Sequence, residues 1–168
     1  YPAPAARKCF LIGDWYCSSD DEKILSAAEK EGYKRIVRPA ELVSPSAQHI
    51  DCIMHALKVI EENDENPDIL VVLLANNVIK TEWITDCVEI MKKDNSVTAV
   101  IPVYEDNDHH PLRAKTLNND ETLEMYEKNT SGKVSTNRQD LPSCLFLSHN
   151  FWVLRVDYLK SGKEGQQP

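Results

Sequence analysis

Apolar residues along this chain fall in short runs that alternate with stretches repeating every three to four positions, the signature of strands alternating with amphipathic helices. Leu11-Ile12 through Trp15-Tyr16-Cys17 leads into a strand that ends at Ser18-Ser19-Asp20-Asp21-Glu22. Ser19 with Glu22 three residues on reads as a capping box, opening a helix through Ile24, Leu25 and Ala28 that Gly32 closes. Arg35-Ile36-Val37 is the next short strand. Ile50, Ile53, Met54, Leu57 and Ile60 share one face of a helix that begins near Gln48 and is stopped by Asn63-Asp64-Glu65-Asn66-Pro67. The continuous run Ile69-Leu70-Val71-Val72-Leu73-Leu74 predicts a central strand buried on both faces. Thr81 caps a further helix with Ile84, Cys87, Val88 and Met91 at its core positions, and 97–103 is another strand.

This rhythm predicts an α/β fold of three layers, with a doubly wound, mostly parallel sheet between helices. After Tyr104 the pattern changes. Residues 105–110 are polar, 112–117 have strand character, 118–137 are polar and turn-rich, and Phe151-Trp152-Val153-Leu154 is a late strand. A long irregular segment inside a compact domain is a lid, a binding loop or a dimer arm.

Between the second strand and the helix near Gln48 stands Arg38-Pro39-Ala40-Glu41-Leu42. Proline pushes the residue before it into an extended conformation. Arg38 is thereby placed just past a strand end, where open α/β sheets collect their ligands. A cation fixed there suits an anionic ligand; the alternative is a surface arginine ahead of a turn.

Composition narrows these options. With 168 residues the chain fits one domain that buries a real core, and its net charge of −8 without any Lys/Arg run argues against nucleic-acid binding. Single arginines can still take phosphate or carboxylate on an acidic protein. The apolar stretches are too short to cross a bilayer. The opening Tyr-Pro-Ala-Pro-Ala-Ala-Arg-Lys lacks the basic-then-apolar order of a signal peptide. The five cysteines, Cys9, Cys17, Cys52, Cys87 and Cys144, are widely spaced without a C-x-x-C pair, which points to reduced thiols and a cytoplasmic protein. Asn129-Thr130-Ser131 matches a glycosylation acceptor, a pattern that arises often by chance.

Several groups carry candidate chemistry. Asp20, Asp21 and Glu22 can hold Mg²⁺ at a strand-to-helix turn, or serve the helix as cap and dipole partners. Asn76 and Asn77 follow the run 69–74 and can hydrogen-bond a base edge or a phosphate, or occupy a left-handed turn. His109-His110 has no third ligand at metal-like spacing and reads as a solvated loop pair, while His55 reads as packed. No nucleophile elbow, Walker loop or dinucleotide fingerprint is present, and the five glycines build no phosphate cradle. Arg113 and Arg138, the latter in Asn137-Arg138-Gln139-Asp140-Leu141-Pro142, carry guanidiniums that can grip a carboxylate or phosphate through two bonds, or lie solvated.

Four stretches, in order, resemble the acylneuraminate cytidylyltransferase family, the CMP-sialic acid synthetases and their relatives. Cys17-Ser18-Ser19-Asp20-Asp21-Glu22-Lys23-Ile24 is similar to the family's Val-Ser-Thr-Asp-Asp-Glu-Glu-Ile, and residues 38–42 match its Arg-Pro-Ala-Glu-Leu. Ile53-Met54-His55-Ala56-Leu57 is similar to the helix that follows, and Arg138-Gln139-Asp140-Leu141-Pro142 to its Arg-Gln-x-Leu-Pro segment. Trp152 to Leu159 then resembles the closing strand and helix start. The resemblance implies a sheet of the nucleotide-diphospho-sugar transferase type. It also implies transfer of CMP from CTP to a sugar acid or other small anionic acceptor, with release of pyrophosphate and with Mg²⁺. By the same resemblance Arg38 touches the nucleotide and Arg138 the acceptor's carboxylate or a partner subunit; beside them Asn76, Asn77 and Lys80 are candidates for the nucleotide, Arg113 and Gln139 for the acceptor, and Asp20 for the metal or the ribose. A homodimer is implied, with 110–138, inside a segment 105–145, as the arm reaching the neighbouring site.

The departures are specific. Residues 1–6 align with a helix that follows the family's triphosphate loop, Ala75 stands where the family has a base-contacting Gln, and Pro45 where it often has Asp. Ser148-His149 replaces an Asn-Gly, and the family's Asp-x-Asp metal pair is not met. Residues 1–168 are expected to form a single, incomplete nucleotidyltransferase-like domain. The alternative is a non-catalytic nucleotide-binding or dimerisation module of the same fold.

Overall fold

In the computed structural model, which describes residues 2–44, 46–128 and 134–162, the chain opens with α1 (Pro2–Arg7), β1 (Tyr16–Ser19), α2 (Glu22–Lys30), β2 (Lys34–Val37) and α3 (His49–Glu62). It continues through β3 (Ile69–Leu73), α4 (Thr81–Lys93), β4 (Ala99–Val100), β5 (Val103–Glu105), β6 (Lys115–Leu117), β7 (Leu123–Met125), β8 (Leu145–Leu147), β9 (Phe151–Arg155) and α5 (Val156–Lys160). Single 3₁₀ turns cover Ala40–Leu42, Pro111–Arg113 and Arg138–Asp140. Pro45 and the Asn129-Thr130-Ser131 pattern lie outside the described residues. The chain divides into two compact units, Tyr1–Pro102 with His149–Pro168, and Val103–Ser148.

In the first unit β1 and β2 run parallel, Tyr16 opposite Lys34 and Ser19 opposite Val37, with α2 as the crossover. The next sheet corrects the sequence expectation. β3 pairs antiparallel with β9, which pairs antiparallel with β4, in the order β3-β9-β4. A clear doubly wound parallel sheet is therefore not what forms. The strand buried on both faces is β9, with Phe151 and Val153 at 0% exposure, whereas every residue of β3 is half-buried. A continuous apolar run does not say which strand is central, and the four-residue run 151–154 outranks the longer 69–74.

The two faces of β9 bury separate clusters. Phe151 and Val153 join Ala6, Cys9, Ile79, Ile84, Val88 and Met91, so α1 and α4 share one side. Trp152 and Leu154 join Ile53 of α3 on the other, with Leu70, Val72 and Leu159 against them. A fully buried side chain of this size stabilises by roughly 1.5–3 kcal/mol. Arg155 finishes β9 by donating to Met91 O (2.7 Å), Val97 O (2.9 Å) and Asp94 O (3.2 Å), which satisfies carbonyls at the end of α4 and just after it.

The helix caps differ from expectation. Asp21, not Ser19, caps α2, its Oδ1 accepting from Lys23 N (2.7 Å) and Ile24 N (3.3 Å), while Ser19 Oγ accepts from Asp21 N. Asp, with its longer reach and its charge on the helix dipole, wins the position. Lys80 occupies the cap position of α4, and the Thr81 hydroxyl donates instead to Ala5 O (2.9 Å), tying α1 to α4. The expected strand 97–103 divides into β4 and β5 around Ile101-Pro102, since proline has no N–H to give a ladder.

The second unit consists of two hairpin-like ribbons. β5 pairs antiparallel with β8, and Tyr104 stacks on Phe146 with centroids 5.8 Å apart. β6 pairs with β7, so strand structure also occupies the stretch 118–137 that sequence alone leaves polar and turn-rich. Among its described residues, Leu141 and His110 are buried.

Gly32 ends α2 at φ +82°, and a Cβ there would sit 3.3 Å from the Arg7 guanidinium, itself stacked 4.1 Å over Trp15. Gly32→Ala is expected to destabilise the protein by about 1 kcal/mol, through the left-handed backbone and that close approach together. Urea unfolding measures it, and an unchanged midpoint would show that the α1–α2 junction relaxes freely.

Candidate functional site

Arg38 leaves β2 in the parallel ladder, its N–H donating to Ser19 O (2.9 Å). Its guanidinium folds back on the end of β1, Nη2 donating to Ser18 O (2.8 Å) and Nε to Ser18 Oγ (3.4 Å). Both strands thus fix one half-buried cation beyond their carboxyl ends. Among the described residues no carboxylate pairs with it within ion-pair distance, whereas Arg35 pairs with Glu22 and Glu29, and Lys34 with Asp14 and Glu65. Arg38 lines an open pocket of about 490 Å³ with Asp20, Ala40, Val43 and Ser44.

Arg38 and Asp20 are therefore brought together, but as cation and anion in one pocket. Among the described residues no group of three His, Cys, Asp or Glu side chains could hold a metal. A single carboxylate beside a guanidinium does not fit a protein-built Mg²⁺ site.

The remaining nucleotide candidates sit after β3. Leu74 N donates to Asn150 O (3.1 Å), and Asn77 Nδ2 donates to His149 O (3.1 Å) and Asn76 Oδ1 (3.1 Å). Asn77 thereby pins the turn before β9, where His149 adopts φ +50° at the place the family resemblance gives to glycine. Asn76 is exposed, and Lys80 lies 5.3 Å over the Trp83 ring. These three residues do not line the Arg38 pocket.

Arg113, Arg138 and Gln139 belong to the second unit. Arg113 is exposed at the end of the Pro111–Arg113 turn. Arg138 and Gln139 line a pocket of about 310 Å³ with Glu105, Asp106, Asn107 and Asp108. Arg138 Nη1 contacts both oxygens of Asp108, at 2.8 and 3.1 Å. An anion gripped by Arg138 must first displace that carboxylate.

The histidines divide by environment. His110 is buried, and its Nδ1 accepts from Leu112 N (3.1 Å). Exposed His109 pairs with Asp106 Oδ2 at 2.7 Å, which raises its pKa and lowers that of Asp106. His55 is half-buried, and its Nδ1 is buried without a hydrogen-bond partner among the described residues. One residue that sequence reasoning missed lies within electrostatic reach of Arg38. His49, the first residue of α3, meets the Trp152 ring edge-on at 4.9 Å. Partial burial and, after it, the Arg38 charge hold its imidazole below the ordinary range. Its place at the helix start was readable; its neighbour from β9 was not.

All five cysteines are unpaired, and burial pushes the Cys17 and Cys87 thiols up. Among the described residues no helix is long and apolar enough to cross a membrane.

No family model matches this chain, and no curated protein matches it at the sequence level. The fold is of the α/β class. The chain is similar to the solved structure of CMP:2-keto-3-deoxy-manno-octonic acid synthetase complexed with CTP, at a TM-score of 0.64 and 14% identity, over 95% of this chain. It spans 64% of that synthetase's length, and the likeness shows a shared fold.

The His109–Asp106 pair gives a pH expectation. The raised imidazole pKa contributes stability that is whole below the ordinary 6.5 and lost as pH rises through the folded value. The lowered carboxyl contributes stability that is whole above the ordinary 3.8 and lost as pH falls through the folded value. The bond is complete between those limits. Asp106→Asn is expected to lower the His109 midpoint in an NMR titration, and an unmoved midpoint would mean the pair does not form in solution.

Proposed function

We propose that the chain is the nucleotide-handling part of a cytidylyltransferase, which transfers CMP from CTP to a hydroxyl of a sugar acid or other small anionic acceptor. The acceptor oxygen bonds to the α-phosphorus, the bond to the bridging oxygen breaks, pyrophosphate leaves, and the hydroxyl proton passes to solvent. The observation that carries this reading is Arg38, a guanidinium without a carboxylate partner among the described residues, anchored on Ser18 at the mouth of an open pocket. The likeness to a synthetase solved with CTP supports it.

In this reading Arg38 meets the nucleotide, Asn76 and Asn77 offer amides to the base or phosphate, and Lys80 swings from Trp83 to a phosphate. Arg138 exchanges Asp108 for the acceptor's carboxylate, with Gln139 and Arg113 as further polar partners. Mg²⁺ enters only as the counter-ion of the triphosphate. The unpaired thiols support a cytoplasmic setting. A homodimer through the 110–138 arm is supported by the β6–β7 ribbon, where Leu117 and Leu123 face each other across the strands at 68% and 66% exposure, with exposed Tyr126 beyond them.

Calorimetric titration is expected to give heat with CTP and none with ATP. Binding of neither nucleotide would overturn the reading, and CTP binding without turnover would favour the non-catalytic module. Arg38→Ala is expected to weaken CTP binding about 10- to 100-fold, the worth of a charge-assisted hydrogen bond, with the fold unchanged by circular dichroism. For the arm, Leu117→Ser with Leu123→Ser is expected to convert dimer to monomer in sedimentation velocity. A monomeric parent protein would remove the dimer from the proposal.

A further inference from the structure

The turn after β1 carries three consecutive acids, Asp20, Asp21 and Glu22, and two of them have structural partners. Asp21 caps α2 by accepting from Lys23 N and Ile24 N. Glu22 accepts from Ser26 Oγ (3.2 Å) and pairs with Arg35. Asp20 does neither. Among the described residues its exposed carboxylate has no hydrogen-bond or ion-pair partner.

The strand register sets this free carboxylate beside Arg38. Ser19 stands opposite Val37 in the parallel ladder, so Asp20 and Arg38 are the next residues out from two adjacent strands. Such neighbours are about 4.8 Å apart along the backbone, close enough for their side chains to pair. They do not pair. The guanidinium turns instead to Ser18, with Nη2 donating to the carbonyl at 2.8 Å and Nε to the hydroxyl at 3.4 Å. Arg38 and Asp20 nevertheless line one open pocket, with Ala40, Val43 and Ser44 completing it. The pocket therefore holds a free cation and a free anion that do not close on each other.

The two groups ask opposite things of a ligand. A guanidinium only donates, so it takes phosphate oxygens; an ionised carboxylate only accepts, so it takes donors and repels phosphate. A cytidine nucleotide offers donors in two places, the ribose hydroxyls and the exocyclic amine of the base. The amine stands beside the ring N3 lone pair, which a carboxylate repels. The ribose diol instead presents two O–H groups side by side, one for each carboxylate oxygen. We propose that Asp20 accepts the 2′- and 3′-hydroxyls of the nucleotide whose phosphate Arg38 holds, which makes this pocket selective for ribonucleotides over deoxyribonucleotides. This rests on the reading of Arg38 as a nucleotide ligand and assigns the sugar end of the same molecule. A site that hydrogen-bonds a hydroxyl rejects the analogue lacking it, because the protein's own polar group is left without its partner. Asp20 is exposed, so water takes part of that place and the discrimination stays moderate.

Calorimetric titration of the full chain with CTP, 2′-deoxyCTP and 3′-deoxyCTP tests it. CTP is expected to bind about tenfold more tightly than either deoxy analogue. In Asp20→Ala the three affinities are expected to converge to within about twofold, with the deoxy analogues bound at least as tightly as by the parent, since a negative group has gone. Asp20→Asn keeps one carbonyl acceptor, and its ratio should fall between the two. Arg38→Lys should weaken all three nucleotides and leave the ratio between them in place. A structural or merely repulsive Asp20 would shift all three affinities together in Asp20→Ala. That result, a ratio that survives the substitution, overturns the proposal, as does a parent protein that binds CTP and the deoxy analogues equally. CTP binding without discrimination sinks this inference and leaves the nucleotide reading standing. Binding of none of the three removes both.

Discussion

The first unit depends on β9 lying between β3 and β4. Its two faces divide the core, Phe151 and Val153 toward α1 and α4, Trp152 and Leu154 toward α3. Without it, β3 and β4 would have no shared partner, since each pairs with β9 in the sheet and neither with the other. Arg155 extends the same strand into a clamp on the end of α4. The candidate site inherits this order. Leu74 and Asn77 are tied to the turn that leads into β9, and Trp152 sets His49 at the head of α3.

Charge pairing separates the candidate arginines more sharply than position does. Arg38 is held through a carbonyl and a hydroxyl, both neutral, so its charge stays available to an anion. Arg138 faces a pocket with three carboxylates and is already joined to one of them. Electrostatic preorganisation favours the first for tight anion binding and leaves the second to an exchange reaction. Lys34 is more committed still, bridging Asp14, Glu65 and Tyr16 at the opposite, amino end of β1 and β2.

What the chain's pattern makes legible is mostly local. The α3 face, the strand ahead of Arg38 and the glycine after α2 all follow from spacing and from single residues with fixed backbone demands. The topology was not legible, because a β-α-β rhythm predicts parallel neighbours and cannot register a strand that returns from far along the chain to lie between them. The caps went wrong by one or two residues for a related reason. Ser19 and Thr81 had the right chemistry, but the Ser19 hydroxyl accepts too early, from Asp21 N, and α1 offers Thr81 a partner that only the fold brings near. At the site, Arg38 could be read from Pro39, whereas the Asp108 that holds Arg138 and the Trp152 beside His49 lie 30 and 103 residues away in sequence from their partners.

The position of β9 also has a consequence for synthesis on the ribosome. The chain emerges from its amino end, so α1 through β4 are made before the strand that completes their sheet. Until Phe151–Arg155 clears the exit tunnel, Ile84, Val88 and Met91 have no Phe151 or Val153 to pack against, and the apolar faces of β3 and β4 stay open to wrong partners. The interval is lengthened by the whole of Val103–Ser148, which must be translated in between. A nascent protein of this design is most exposed to aggregation just before β9 arrives, and chaperone dependence would concentrate in that window.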